Sequence, residues 1–371
     1  MADHADVVII GGGAVGAATA YHLAARGVTN VVLVEREVLA AGSTSKAAGG
    51  IRLQFGDELN VRIMQRSLPA FERFDAELDA AIGFHQSGYL FLLDDAADMA
   101  RFEQAVALQQ RLGVPSRMIG ADEALALVPG LEGADLIGAS YCPLDGYATP
   151  ESVVQGYAAA AGRMGVRIRQ SCEVTGIDTR GYDIVAVETT KGRIETDCVV
   201  CAAGVASRAI GAMVGVEVPV ERDPHWLHWT AERGDLAADM PLVVDFGSGF
   251  YVHPEGTGLL FGGRERSLDA LAGVAIGRLP VLAELAVHAS WWGDFELSPD
   301  HNAIVGEVDG VSRFLYATGF SGHGFMQSPA IGEHLAELTT GVEPTLDLKP
   351  LSADRFREPG RHRPEALIFG L

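Results

Sequence analysis

Residues 7–35 read VVIIGGGAVGAATAYHLAARGVTNVVLVE. The opening apolar run, 7–10, has the composition of a strand buried on both faces. It runs directly into Gly11-Gly12-Gly13-Ala14-Val15-Gly16, a G-x-G-x-x-G turn. Residues 14–26 are rich in alanine and stop at Gly27, a suitable residue just past a helix end. A second apolar run, 31–34, ends at Glu35. Strand, glycine turn, helix and strand make one βαβ unit with an acid where a dinucleotide's ribose would lie. Gly11 permits the tight turn, Gly13 lets the backbone approach a pyrophosphate, and Gly16 lets helix and strand pack closely. The helix start, with Ala14 and Val15, presents free N–H groups and a partial positive charge to an anion. Glu35 can accept hydrogen bonds from ribose hydroxyls, and its charge would repel a 2′-phosphate. The phosphate physics serves FAD and NAD alike.

Outward from this unit, the chain of 371 residues is long enough for about two domains and, at 48% hydrophobic, fills a large core. Its 28 basic residues stand against 49 acidic ones, a formal charge of −21, which argues against nucleic acid as a partner. Four cysteines make no disulfide framework, and Cys198 and Cys201 lie in a buried-strand pattern with no second ligand pair, so no metal is expected. No apolar run reaches the ~20 residues of a membrane helix and no signal peptide is evident, so the cytoplasm is the expected location.

Helical spacing covers residues 58–78, with Pro69 inside it, and a helix capped by Asp94 or Asp95 runs to Leu112. Thr149-Pro150-Glu151 is a strong helix start. Short strands follow over 166–200, then a helix over 205–214, aromatic strands over 219–263, and a helix over about 267–288. Near the C-terminus a strand at 314–317 leads into Gly319, Gly322 and Gly324, then a helix from about Ser328 to Leu338. These glycines permit close backbone approach to a flat group.

Several of these segments together resemble the amine-oxidising flavoprotein family that holds D-amino acid oxidase, glycine oxidase and sarcosine oxidase. They are the N-terminal fingerprint, residues 43–52 (STSKAAGGIR), Leu144-Asp145-Gly146 with Pro150, residues 199–204 (VVCAAG), 298–306 (SPDHNAIVG) and 319–329 (GFSGHGFMQSP). The look is closest to the sarcosine oxidase β-subunit type. The resemblance implies an α/β chain whose Rossmann-like FAD-binding domain (1–82, 144–219 and 296–371) is interleaved with an α+β substrate domain on a mixed or antiparallel sheet (83–143 and 220–295). It places FAD against the fingerprint with Arg36, against Ser43, Thr44 and Ser45, and against Ala48, Gly49 and Gly50. It adds Val174, Ala203 and Gly204 in the middle of the chain. At the C-terminal end it adds Gly319, Gly322, His323, Gly324 and Phe325, and it makes 298–306 a flavin-contacting segment.

Three departures from that family matter. No cysteine follows Cys201, and Lys46 stands where some members attach flavin through histidine, so FAD is expected to be non-covalent. Met326 replaces the lysine that helps monomeric sarcosine oxidases hold a carboxylate. Arg52 is the candidate for a substrate carboxylate, since a guanidinium matches it bidentately. Tyr251 and His253 alternate with Phe250 and Val252 and so share a strand face, which makes both candidates for the pocket, with His323. The tryptophans, Trp226, Trp229, Trp291 and Trp292, are a further candidate apolar wall. His225 and His228 read as structural.

The implied reaction is oxidation of a C–N bond in a small secondary or N-alkyl amine or amino acid, glycine-like or proline-like. A hydride passes to flavin N5, and the imine hydrolyses. The electron acceptor, oxygen or another, is left open, and a second subunit is compatible. The alternatives are a flavin-dependent 2-hydroxy-acid dehydrogenase, a non-catalytic flavoprotein subunit of a larger oxidase, and an NAD-dependent enzyme, in which the C-terminal glycine loop would have no role.

Overall fold

The run Val7–Ile10 forms a strand with all four residues buried, and its side chains divide between two cores. Val7 and Ile9 face helices; Val8 and Ile10 face a second sheet. That two-sided burial is why the run is apolar throughout rather than alternating. The computed structural model describes residues 3–357, 360 and 364–368.

Val7–Ile10 lies inside a six-stranded sheet ordered Ile304–Glu307, Phe314–Thr318, Val199–Cys201, Val7–Ile10, Val31–Val34, Arg167–Arg169. Its strands pair in parallel except for the antiparallel Ile304–Glu307 at the edge. The helices Ala14–Ala25, Glu58–Leu78, Pro150–Arg163 and Gly324–Thr340 stack on one side of it. The other side packs on a four-stranded sheet that includes Val174–Arg180 and Asp183–Thr189. Cys198 belongs to the first core and Cys201 to the second, so the three-residue spacing sends the two sulfurs to opposite faces. All four cysteines are free and buried.

The aromatic segments build an eight-stranded sheet ordered Val287–Leu297, Glu221–Thr230, Gly258–Gly262, Tyr251–Glu255, Leu242–Asp245, Tyr89–Leu93, Gly138–Cys142, Arg117–Ile119. It is antiparallel apart from one parallel pair, Leu242–Asp245 with Tyr89–Leu93. The two large sheets draw on alternating stretches of chain, so the architecture is α/β with a mixed second sheet, as expected.

Three elements differ from the sequence reading. The helix expected over 267–288 is Leu268–Arg278, and Val287 and His288 begin a strand. Pro280 supplies the stop, because the residue before a proline is driven out of the helical region; Leu279 has φ −134° and ψ 85°. The helix expected over 205–214 is a 3₁₀ turn followed by Ser207–Ala212. The last helix starts at Gly324 rather than near Ser328, with Pro329 inside it. Asp95, not Asp94, caps the helix Ala96–Arg111 through the N–H groups of Ala97 and Asp98.

The segment 298–306, for which the resemblance implies a flavin contact, carries a structural pair. Asp300 is 1% exposed and meets the Arg355 guanidinium in bidentate fashion, with both N···O distances 2.9 Å. Removing one partner of a buried pair strands the other. Asp300→Ala is expected to cost about 3–5 kcal/mol of stability. Urea unfolding checks this, and a wild-type midpoint would show the pair to be dispensable.

Candidate active site

The first glycine turn is shaped by backbone that leaves no room for side chains. A Cβ on Gly11, at φ +111°, would lie 2.3 Å from the Ala202 carbonyl oxygen, and one on Gly16 would lie 2.0 Å from that of Gly11. Gly13 differs, since a Cβ there would meet only Thr44 Oγ1, at 3.2 Å, with open space beyond. No side chain of the N-cap residue covers the helix start at Gly13, although the Ala14 N–H reaches Thr44 Oγ1 at 3.2 Å. Glu35 braces the turn, because its Oε2 accepts from the Gly12 N–H at 2.8 Å and its Oε1 from the Glu37 N–H at 2.8 Å. Each oxygen keeps a further lone pair for a ligand.

The C-terminal turn is built in a similar way. Gly319 (φ +68°) and Gly322 (φ +91°) turn the chain after the strand Phe314–Thr318, and His323 starts the helix Gly324–Thr340 without a side-chain cap. Neither helix start is capped by the side chain of its own N-cap residue, so both keep free N–H groups at their positive ends, beyond the one that Ala14 gives to Thr44. They open onto one cleft of about 570 Å³, within the usual size of cofactor and substrate sites, roughly 300–1,000 Å³.

The cleft is lined by Gly11, Gly13, Ala14, Val15, Glu35 and Arg36 at one end and by Gly322, His323, Gly324 and Phe325 at the other. Ser43, Thr44, Ala48, Gly49, Gly50, Val174, Ala203 and Gly204 lie along it, with Arg52, Tyr251 and Met326. A Cβ on Gly49, at φ +73°, would lie 2.0 Å from the Ala148 carbonyl oxygen, so that turn too excludes side chains.

Besides three of the tryptophans, four of the candidate cofactor and substrate residues lie outside the lining. Gly16 packs against the Gly11 carbonyl, which is the packing role assigned to it. Ser45 sits in the 3₁₀ turn Thr44–Lys46, its N–H bonded to the Ala40 carbonyl. Gly319 turns over Ile304 and Ser298. His253 shares the strand face of Tyr251, as the alternation requires, but one step further along that face lies behind the cleft wall. It is fully buried, its ring lies tilted against Tyr147 at 4.3 Å, its Nε2 is 2.9 Å from the Ala48 carbonyl oxygen and its Nδ1 is 2.7 Å from that of Pro254. Burial pushes its pKa down to about 4 against the Pro254 and Ala48 carbonyls, which favour the charged ring, and the Ala48 contact makes it a brace for residues 48–50 rather than a group of the pocket.

Arg52 is 1% exposed and already engaged. Its guanidinium donates to the Gln54 carbonyl, to His323 Nε2 at 3.0 Å and to the Leu367 carbonyl at 3.3 Å. It lies 4.1 Å from the centre of the Phe55 ring. Burial, then the Arg52 charge, holds His323 well below the usual histidine range, so the ring is neutral and its Nε2 accepts. Tyr89 and Tyr251 also line the cleft, and burial raises both phenols, which stay protonated donors.

Of the four tryptophans, only Trp292 lines the cleft, with Lys46 Nζ 5.8 Å above its ring. Trp229 is tied to the Glu255 carbonyl by its indole N–H. His225 lines the cleft, stacks on Phe295 at 3.8 Å and is bonded to Asp223, while His228 is bonded to Ser290. Among the described residues no cluster of metal-ligand type occurs. Tyr89, Arg222 and Glu296 are cleft residues that sequence reasoning missed. The available signal was slight: Tyr89 is the hydroxyl-bearing residue of an otherwise apolar strand, while Arg222 and Glu296 lie in strands that carry other charged residues.

The donor set fits FAD. Two helix starts with free N–H groups and side-chain-free turns suit the pyrophosphate and a flat ring, and the acid at the end of the second strand suits a ribose. Comparison with known proteins agrees. The chain is 32% identical over 383 residues to mitochondrial sarcosine dehydrogenase of Homo sapiens, covering 95% of this chain and 41% of that protein, so it spans about two-fifths of that relative's length. It is 27% identical over 379 residues to sarcosine oxidase subunit beta of Arthrobacter sp, covering 95% of this chain and 91% of that one. The crystal structure of L-proline dehydrogenase from P.horikoshii superimposes with a TM-score of 0.90 at 32% identity, covering 96% of this chain and 99% of that one. Residues 6–338 match the family model described as FAD dependent oxidoreductase, and the chain belongs to that FAD-dependent family.

Proposed function

We propose that this chain, with non-covalent FAD in the cleft, oxidises a C–N bond of a small amine or amino acid, N-alkylated or proline-like. The observation that carries the reading is that two glycine turns far apart in sequence, at 11–16 and 319–324, open onto a single cleft. Similarity to sarcosine dehydrogenase and to L-proline dehydrogenase supports the substrate class.

When bound, FAD supplies the two-electron acceptor. The chain supplies position and electrostatics. Gly13, Ala14 and Thr44 hold the pyrophosphate, Glu35 the ribose, and residues 48–50 with 322–325 the flat ring. Arg52 orients His323 and adds positive charge toward a substrate carboxylate. Tyr89 and Tyr251 donate as neutral phenols. Apolar walls from Leu227, Leu242, Phe325 and Met326 disfavour an ammonium and so favour the neutral amine whose lone pair assists oxidation. The reading places the protein in the cytoplasm, in keeping with its four free, buried cysteines. Similarity to a β-subunit favours a second chain in the working assembly.

Anaerobic mixing of the FAD-loaded protein with secondary amines, N-methyl amino acids and proline-like acids is expected to bleach the flavin absorbance. Bleaching by 2-hydroxy acids alone would replace this reading with C–O oxidation. Inertness toward the whole panel, with a second chain copurifying, would make the chain a non-catalytic subunit.

A further inference from the structure

Glu296 lies on the strand Val287–Leu297 and lines the cleft beside the turn of Ala203 and Gly204. Its Oε2 is 2.8 Å from Thr318 Oγ1, and the same hydroxyl is 3.0 Å from the Gly204 carbonyl oxygen. A threonine hydroxyl has one proton to give, and a carbonyl has none. Unless that one proton is shared between two acceptors, both contacts are hydrogen bonds together only when Glu296 carries a proton, donating to Thr318 while Thr318 donates to Gly204. Thr318 is fully buried, which leaves its hydroxyl no water to turn to.

The charges around Glu296 do not neutralise it. Arg222 stands opposite it in register on the neighbouring strand, yet its Nε donates to Asp294 at 3.1 Å. Lys46 sits over Trp292, and His225 is tied to Asp223 on the face of Phe295. Behind it, burial raises the Cys201 thiol to about 11, and His323 is neutral. Among the described residues none of these cations forms an ion pair with Glu296. Glu296 is half-buried, and loss of solvation pushes its carboxyl up to about 7, outweighing the Gly319 and Phe320 N–H groups and the Thr318 hydroxyl, which favours the anion only when it turns away from Gly204.

We propose that Glu296 makes cofactor retention proton-linked: the cleft holds the anionic dinucleotide with Glu296 neutral, and ionisation of Glu296 loosens it. The proposal rests on FAD occupying this cleft. The pyrophosphate brings negative charge into a cleft lined by Glu35, Glu37, Glu173 and Asp294 as well as by Arg36, Lys46, Arg52 and Arg222, and with no cation among the described residues paired to Glu296 its carboxylate is repelled by that added charge. FAD binding then takes up one proton onto Glu296 wherever the apoprotein has lost it. Affinity is full below about 7 and falls as pH rises through the window from that value to the higher one of the loaded protein.

The test is titration of apoprotein with FAD, followed by flavin fluorescence from pH 6 to 9, for wild type and Glu296→Gln. The amide can still donate to Thr318 but cannot ionise. Wild-type Kd is expected to rise above neutrality, approaching about tenfold per pH unit, while the variant stays tight at pH 9. Calorimetry of wild type at pH 8 in two buffers of different ionisation enthalpy should show proton uptake, a readout independent of the variant's folding. Equal pH slopes in the two proteins, or no proton uptake by wild type, would overturn the proposal while leaving the site intact. Failure of wild type to bind FAD at any pH would overturn the site reading as well.

Discussion

Gly16→Ala is expected to yield a destabilised chain that purifies without flavin, whereas Gly13→Ala is expected to fold normally and lose FAD affinity. The two substitutions add the same methyl group three residues apart. At Gly16 the new carbon would lie 2.0 Å from the Gly11 carbonyl oxygen, which is backbone held in turn by the strand. The first helix must move off the sheet, and overpacking of this kind costs about 1–3 kcal/mol. At Gly13 the nearest obstacle is Thr44 Oγ1 at 3.2 Å, a side-chain atom able to shift. The apoprotein there loses nothing, but the methyl group occupies the path by which the pyrophosphate approaches the helix start, and FAD should bind at least tenfold more weakly. Thermal melts of the apoproteins and FAD titrations separate the two. Equal melting of all three proteins would refute the packing role of Gly16, and wild-type FAD affinity in Gly13→Ala would remove that turn from the pyrophosphate site.

The second large effect is expected at Arg52. Arg52→Met keeps much of the side chain's length and its packing against Phe55 but removes every donor. The Gln54 and Leu367 carbonyls and His323 Nε2 then face a buried apolar group. Hydrogen bonds to charged groups are worth about 1.5–3 kcal/mol each, and part is returned because a buried charge is removed with them. A net loss of about 3 kcal/mol is expected on unfolding in urea. If Arg52 also faces the substrate carboxylate, binding of carboxylate ligands falls by about tenfold or more while binding of uncharged amines changes little. Unchanged stability would contradict the bracing role. Parallel loss of both ligand types would assign Arg52 to holding His323 and the cleft wall rather than to the carboxylate.

The fingerprint was legible because each of its requirements is local. A turn at φ +111° under a carbonyl at 2.3 Å demands glycine at position 11 whatever surrounds it. The same holds for the strand at Val31–Val34 and for the helix Glu58–Leu78, whose apolar spacing alone sets its buried face. The helix after Ser267 was overdrawn because alanine and leucine spacing continued past a proline that ends it. Period-two alternation correctly put Tyr251 and His253 on one face, yet could not show that residues 48–50 cross that face between them, leaving one in the cleft and the other behind it. Glu296 was passed over for a related reason. As a residue in a strand it is an unremarked acid, and its chemistry comes from Thr318, at the end of another strand, and Gly204, in the turn after a third.

From its order of residues alone, this chain declared a dinucleotide turn, the strand and helix around it, and a second glycine turn near its C-terminus, because backbone geometry and side-chain periodicity act over a few neighbours. Only the tertiary structure decided which polar side chains share the cleft, which are spent as braces, and that Glu296 forms no ion pair among the described residues. Those properties depend on distances between segments remote in sequence, and burial and hydrogen-bond partners exist only once the sheets have come together.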